Sequence, residues 1–168
     1  MSEQKNIYLA AAQAENWAAQ CLQKAGATPA IAEAMAHHLV AADLLGFRTH
    51  GLMRLGYNIR CLQQGETRGS GGHVVEHQRA AMQLWDADYL SGLYVVPKAV
   101  NAAISMAQQC GTGTVVIPFV GLALGGRRVA EVAVEVQVAQ AETGAAVFEE
   151  FGLGGQGPEA AAEQGGGD

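Results

Sequence analysis

The chain changes character near Ile117, and that break limits which part of it can build a fold. Residues 1–117 carry eight basic and eight acidic side chains, while residues 118–168 carry two and eight, so the whole net charge of −6 falls on the second part. That part also holds 11 of the 22 glycines and lacks Ile, Lys, Asn, Ser, Tyr, Trp, His, Cys and Met. A shift of this kind marks a boundary between two differently composed stretches. The fold is therefore expected from residues 1–117, and 118–168 is expected to be a divergent Gly/Ala/Glu-rich tail, aberrant or partly disordered.

Within the body, apolar periodicity and glycine punctuation divide the chain. Ile7, Ala11, Ala14, Trp17, Cys21 and Ala25 recur at helical spacing, and Gly26 supplies a stop. Thr28-Pro29 opens a second helix as cap and first residue, with Ile31, Met35, His38, Leu39 and Ala42 on its apolar side. Gly46 ends it. A third helix is expected from about Thr49, with Leu52, Leu55, Ile59 and Leu62 facing inward and Gly65 as its end. "ETRGSGGHVVEH" predicts a loop leading to an extended segment, and residues 80–88 predict a strand and a turn. Residues 96–109 have helical periodicity, and "GTVVIPFV" is a short apolar run suited to a buried strand. The expectation is an α/β fold: a helical N-terminal region followed by a strand–helix–strand unit. In the tail, "RRVAEVAVEVQVAQAETG" suits either strand or helix.

The stretch "FRTHGLMRLGY" carries the densest polar chemistry. If Thr49 caps the third helix, His50 lies in its first turn and Arg54 follows four residues later on the same face. A helix N-terminus offers free N–H groups and the positive end of the dipole, both of which attract an anion. A guanidinium fork fits a carboxylate, and an imidazole beside it can give or take a proton near neutral pH. Gly51 would permit close approach of substrate or backbone. Such a set suits a small 2-oxo or 2-hydroxy acid; the plain alternative is a capped surface turn with solvated charges.

These residues stand in a longer pattern: Ala42-Asp43-Leu44, Gly46, Thr49-His50-Gly51, Arg54 and Tyr57. The pattern resembles the N-terminal region of the malate/L-lactate dehydrogenase family, NAD(P)-dependent oxidoreductases distinct from the Rossmann-type enzymes. Residues 80–117 resemble the family's next stretch in order and spacing, so the likeness spans roughly residues 7–117. It implies that His50 is the general acid that protonates a carbonyl or imine, with Thr49 orienting substrate or histidine. Arg54 would bind the substrate carboxylate, and Arg48 falls beside it on the substrate-binding side. It also implies NAD or NADP as cofactor, a homodimer, and active sites near the subunit interface. After Ile117 the family's cofactor and catalytic segments are not recognisable, which predicts a truncated form with weak or absent turnover and a tail of out-of-frame origin. The competing expectation is a non-catalytic fragment or interaction module derived from such an enzyme.

Other features point away from chemistry. "GLGGQG" places Gly152, Gly154 and Gly157 in a G-x-G-x-x-G pattern, but Pro158 follows directly and no acidic residue stands about 20 positions on. His37 and His38 point about 100° apart on a helix. His73 and His77 lack a clear third metal ligand, Cys61 suits a small buried hydrophobe, and Asp86 and Asp88 suit a turn. The acidic balance disfavours nucleic acid, no apolar run of about 18 residues suggests a membrane span, and three widely spaced cysteines suit reduced thiols in the cytoplasm.

Overall fold

The computed structural model describes residues 8–118, 132–137 and 147–149. Two helices, α1 (Ala11–Lys24) and α2 (Pro29–Leu44), are followed by two short 3-10 turns, Arg48–His50 and Leu52–Arg54, and by helix α3 (Leu55–Gln63). Then come β1 (Val74–Arg79), β2 (Met82–Asp86), α4 (Gly92–Cys110), β3 (Thr112–Ile117), β4 (Val132–Gln137) and β5 (Val147–Glu149). The five strands form one sheet in sequential order. β1 and β2 are an antiparallel hairpin, β2 and β3 are parallel across α4, and β4 and β5 add antiparallel strands. The helical region followed by strand–helix–strand matches the α/β expectation.

Alanine decides how the first two helices meet. α1 buries Ala14, Ala18, Ala19 and Leu22, and α2 answers with Ile31, Ala32, Met35, Ala36, Leu39 and Val40. Residues four apart form ridges, and small residues between them let the backbones approach closely. This corrects the expected face of α1: Trp17 is 56% exposed and Cys21 only half-buried, because an indole does not fit an interface spaced by alanines. Ile7 lies outside the described residues. His38, expected on the apolar side of α2, is half-buried. At the surface, His37 Nδ1 pairs with Glu15 Oε1 at 3.1 Å and links the two helices.

α4 begins at Gly92, one turn earlier than its periodicity suggested, after Ser91. Pro97 therefore lies inside the helix, where it removes one backbone hydrogen bond. The helix ends at Gly111, whose φ of 83° is the left-handed conformation that glycine adopts without a Cβ penalty. β3 alternates, burying Gly113, Val115 and Ile117 against α4. β4 lies in the compositionally distinct tail; the strand alternative holds there, and Val136 is buried in the core. The glycine pattern at 152–157 lies outside the described residues.

His73 stacks on the buried Trp85, ring centroids 3.8 Å apart, so a ring expected as a weak metal candidate has a packing role. Burial, and secondly the Lys98 charge, push its pKa below the usual 6.5; burial, and secondly His37, do the same to His38. The unfolded chain then takes up protons at these sites more readily than the folded one, so stability is full above about pH 6.5 and declines as pH falls below it. Melting midpoints are expected to rise between pH 5 and 7.5, and a His38→Gln/His73→Gln variant is expected to show a flatter profile. Parallel profiles for the two proteins would contradict this.

Candidate functional site

The segment from Phe47 to Arg54 folds differently from its expected form. Thr49 does not cap an α-helix. It sits in the middle of a 3-10 turn, Gly51 separates that turn from the next, and α3 starts only at Leu55 with Arg54 as its flanking residue. His50 and Arg54 therefore do not share one face of a regular helix, and the 3.6-residue geometry that paired them does not apply. They are brought into one segment by side-chain bonds instead. Thr49 Oγ1 lies 3.0 Å from His50 Nδ1, and Arg54 Nε–H donates to the Thr49 carbonyl at 2.8 Å. Arg54 thus ties the second turn back onto the first.

Neighbouring elements hold the segment. From the last turn of α2, Asp43 Oδ2 accepts the Leu52 N–H at 2.8 Å. Asn58, buried in α3, donates from Nδ2 to the Arg54 carbonyl at 3.0 Å. Leu55 and Leu62 anchor α3 in the core. Above this scaffold Arg48, Thr49 and His50 are exposed, and Arg54 is half-buried. Gly51 is buried, and what approaches it is not a ligand: a Cβ there would collide with the Asp43 carboxylate. Asp43 and Asn58 are the residues that sequence reasoning left without a role. The signals available were the Ala-Asp-Leu triplet and an asparagine on the apolar side of α3.

With Thr49 Oγ1 against Nδ1, the ring nitrogen outside that contact is Nε2. Exposed apolar side chains border the segment: Leu44 and Leu45 (both 73% exposed), Phe47 (62%) and Met53 (72%).

The remaining candidates have structural partners. Cys61 is buried, its Sγ–H reaches Glu66 Oε2 at 3.4 Å, and burial raises its pKa, all against a nucleophile. Asp86 Oδ1 accepts the Asp88 N–H at 2.8 Å, and Asp88 pairs with Arg68. Both acids therefore shape the turn between β2 and α4, where Asp88 and Tyr89 take positive φ. That turn joins β2 to the helix of the parallel strand–helix–strand unit.

Comparison with known proteins gives the same picture as the motif. The family model for malate/L-lactate dehydrogenase matches residues 9–120. A malate/(S)-sulfolactate dehydrogenase of Methanothermus fervidus is 30% identical over 94 residues, covering 56% of this chain and 28% of that one. An L-sulfolactate dehydrogenase of Methanothermobacter thermautotrophicus is 31% identical over 74 residues, covering 44% and 22%. The chain thus spans about a quarter of the length of these curated relatives. In fold it is similar to the sulfolactate dehydrogenase of Methanocaldococcus jannaschii, with a TM-score of 0.67 at 18% identity, covering 86% of this chain and 51% of that one. The delta1-piperideine-2-carboxylate reductase of Pseudomonas syringae pvar. tomato gives 0.64 at 22%, covering 68% and 35%. With its family match across most of the described body, the chain belongs to the malate/L-lactate dehydrogenase family.

Proposed function

We propose that the chain carries the substrate-handling part of an NAD(P)-dependent oxidoreductase that interconverts a small 2-oxo acid, or a cyclic imino acid, with its reduced form. The observation that carries this reading is the exposed Thr49–His50 pair, its Nδ1 engaged by a hydroxyl, in a segment strapped by Arg54. The names of the relatives, which act on malate, sulfolactate or piperideine-carboxylate, agree in substrate class. His50 protonates the carbonyl or imine as it is reduced, and Thr49 holds the ring's orientation. Arg54 and Arg48 place positive charge for the carboxylate. The hydride donor in this reading is NADH or NADPH.

Two features extend the proposal. The apolar border of Leu44, Leu45, Phe47 and Met53 supports a homodimer that covers it. Three free cysteines, with no disulfide among the described residues, support a cytoplasmic setting. A second reading, a non-catalytic interaction module derived from such an enzyme, is favoured by the same exposed apolar border, which suits a partner surface. The end of the family match at residue 120 supports the reading of residues 118–168 as a divergent tail.

The test is titration with NADH and NADPH, followed by addition of pyruvate, oxaloacetate or sulfopyruvate. Saturable binding with 2-oxo acid-dependent oxidation is expected of the enzyme. Absence of both, in a folded chain, selects the interaction module.

A further inference from the structure

Asp43 lies in α2 and reaches a loop nine residues away. Its carboxylate makes two contacts that explain each other. Oδ2 accepts the Leu52 N–H at 2.8 Å, which satisfies a backbone donor in the second 3-10 turn. The same carboxylate fills the space in front of Gly51, where any Cβ would overlap it. Gly51 has φ −86° and ψ −153°, an extended backbone open to any residue. Its lack of a side chain is therefore required by Asp43, not by backbone conformation. The two turns joined at Gly51 are the ones that present Thr49 and His50 on one side and Arg54 on the other.

We propose that Asp43 is a positioning residue for this site. It sets the angle between the His50 turn and the Arg54 turn by clamping the peptide between them. This rests on the proposed function for the meaning of the site, but the clamp itself is a matter of geometry. Short 3-10 turns have weaker internal hydrogen bonding than α-helix. A charged acceptor from a packed helix supplies what they lack, because hydrogen bonds to ionised groups are the stronger kind. The adjoining polar contacts, Arg54 Nε–H to the Thr49 carbonyl and Asn58 Nδ2–H to the Arg54 carbonyl, act within the segment and on its far end. Only Asp43, among these, approaches it from α2.

The experiment uses the full chain, with oxamate as a non-reacting 2-oxo acid analogue. The readouts are the His50 ring shifts on titration, the hydrogen-exchange rate of the Leu52 amide, and the melting midpoint. Asp43→Ala is expected to speed Leu52 exchange by about tenfold or more and to weaken oxamate binding by about tenfold. Exchange in α1 and α4 stays unchanged. Asp43→Asn keeps an acceptor oxygen at the same reach and is expected to recover most of both losses. Gly51→Ala alone should reproduce the Asp43→Ala loss, and adding Asp43→Ala to it should cost little more, since both break one contact.

Asp43→Ala with unchanged Leu52 exchange and oxamate affinity overturns the clamp. So do additive losses in the double variant. Loss of binding in proportion to global melting, with no recovery in Asp43→Asn, reduces Asp43 to a stability residue and also overturns it. A wild-type chain whose His50 does not respond to oxamate overturns the substrate reading itself, and with it the assignment of Asp43 to that site.

Discussion

Gly113→Val is expected to be the most destabilising single substitution in the described body. A Cβ at Gly113 would overlap the carbonyl oxygen of Ala103 and lie 2.9 Å from the Ala103 carbonyl carbon and the Ala107 nitrogen. These are backbone atoms of α4, so no side-chain rotation relieves the contact. The strand and helix must separate, and the interior between them loses its packing density. Overpacking costs about 1–3 kcal/mol in typical cores and more where backbone must move. Against a total stability of about 5–15 kcal/mol, roughly 3 kcal/mol lowers the melting midpoint by on the order of 10 °C. Circular dichroism melts of Gly113→Val beside Thr114→Val, at the half-buried neighbouring position, measure it. Equal midpoints for the two variants would show that β3 does not sit this close to α4.

His50→Ala is expected to have the largest effect on turnover. Removing the group proposed to give the proton is expected to lower kcat by about 10²–10⁴-fold, while KM for the 2-oxo acid changes little if Arg54 holds the carboxylate as proposed. Thr49→Val keeps the ring but removes the oxygen 3.0 Å from Nδ1, so the imidazole loses its fixed orientation. A smaller loss, on the order of tenfold, is expected from one hydrogen bond. Steady-state oxidation of NADH or NADPH, with and without each substitution, separates kcat from KM. If His50→Ala raised KM and left kcat intact, the ring would be a binding group and the acid would have to be sought elsewhere.

The local elements were legible because they depend on neighbours in the chain. The Gly26 stop, the Thr28-Pro29 start and the presence of a strand at β3 follow from backbone preference and apolar spacing, whereas the alternating burial of β3 was not visible in its continuous apolar run. The family pattern was legible for a related reason: Ala42-Asp43-Leu44, Thr49-His50-Gly51, Arg54 and Tyr57 lie within sixteen residues of one another, so their order survives as a motif.

What spacing could not give was the shape between those residues. Helical periodicity from Leu52 to Leu62 extends naturally back to Thr49, and an α-helix over that range puts His50 and Arg54 on one face. The structure instead bends the chain twice, because Asp43 arrives from another helix to take the Leu52 N–H and to occupy the space at Gly51. A contact across a turn carries no period. Trp17 shows the same limit: its spacing matched the apolar side of α1, but which side is buried depended on the alanines with which α2 meets it. The residues by themselves determined where helices and strands form and which family's chemistry they carry. Only the packed chain decided how the histidine and arginine are held together, since that depends on which groups two separate elements bring into contact.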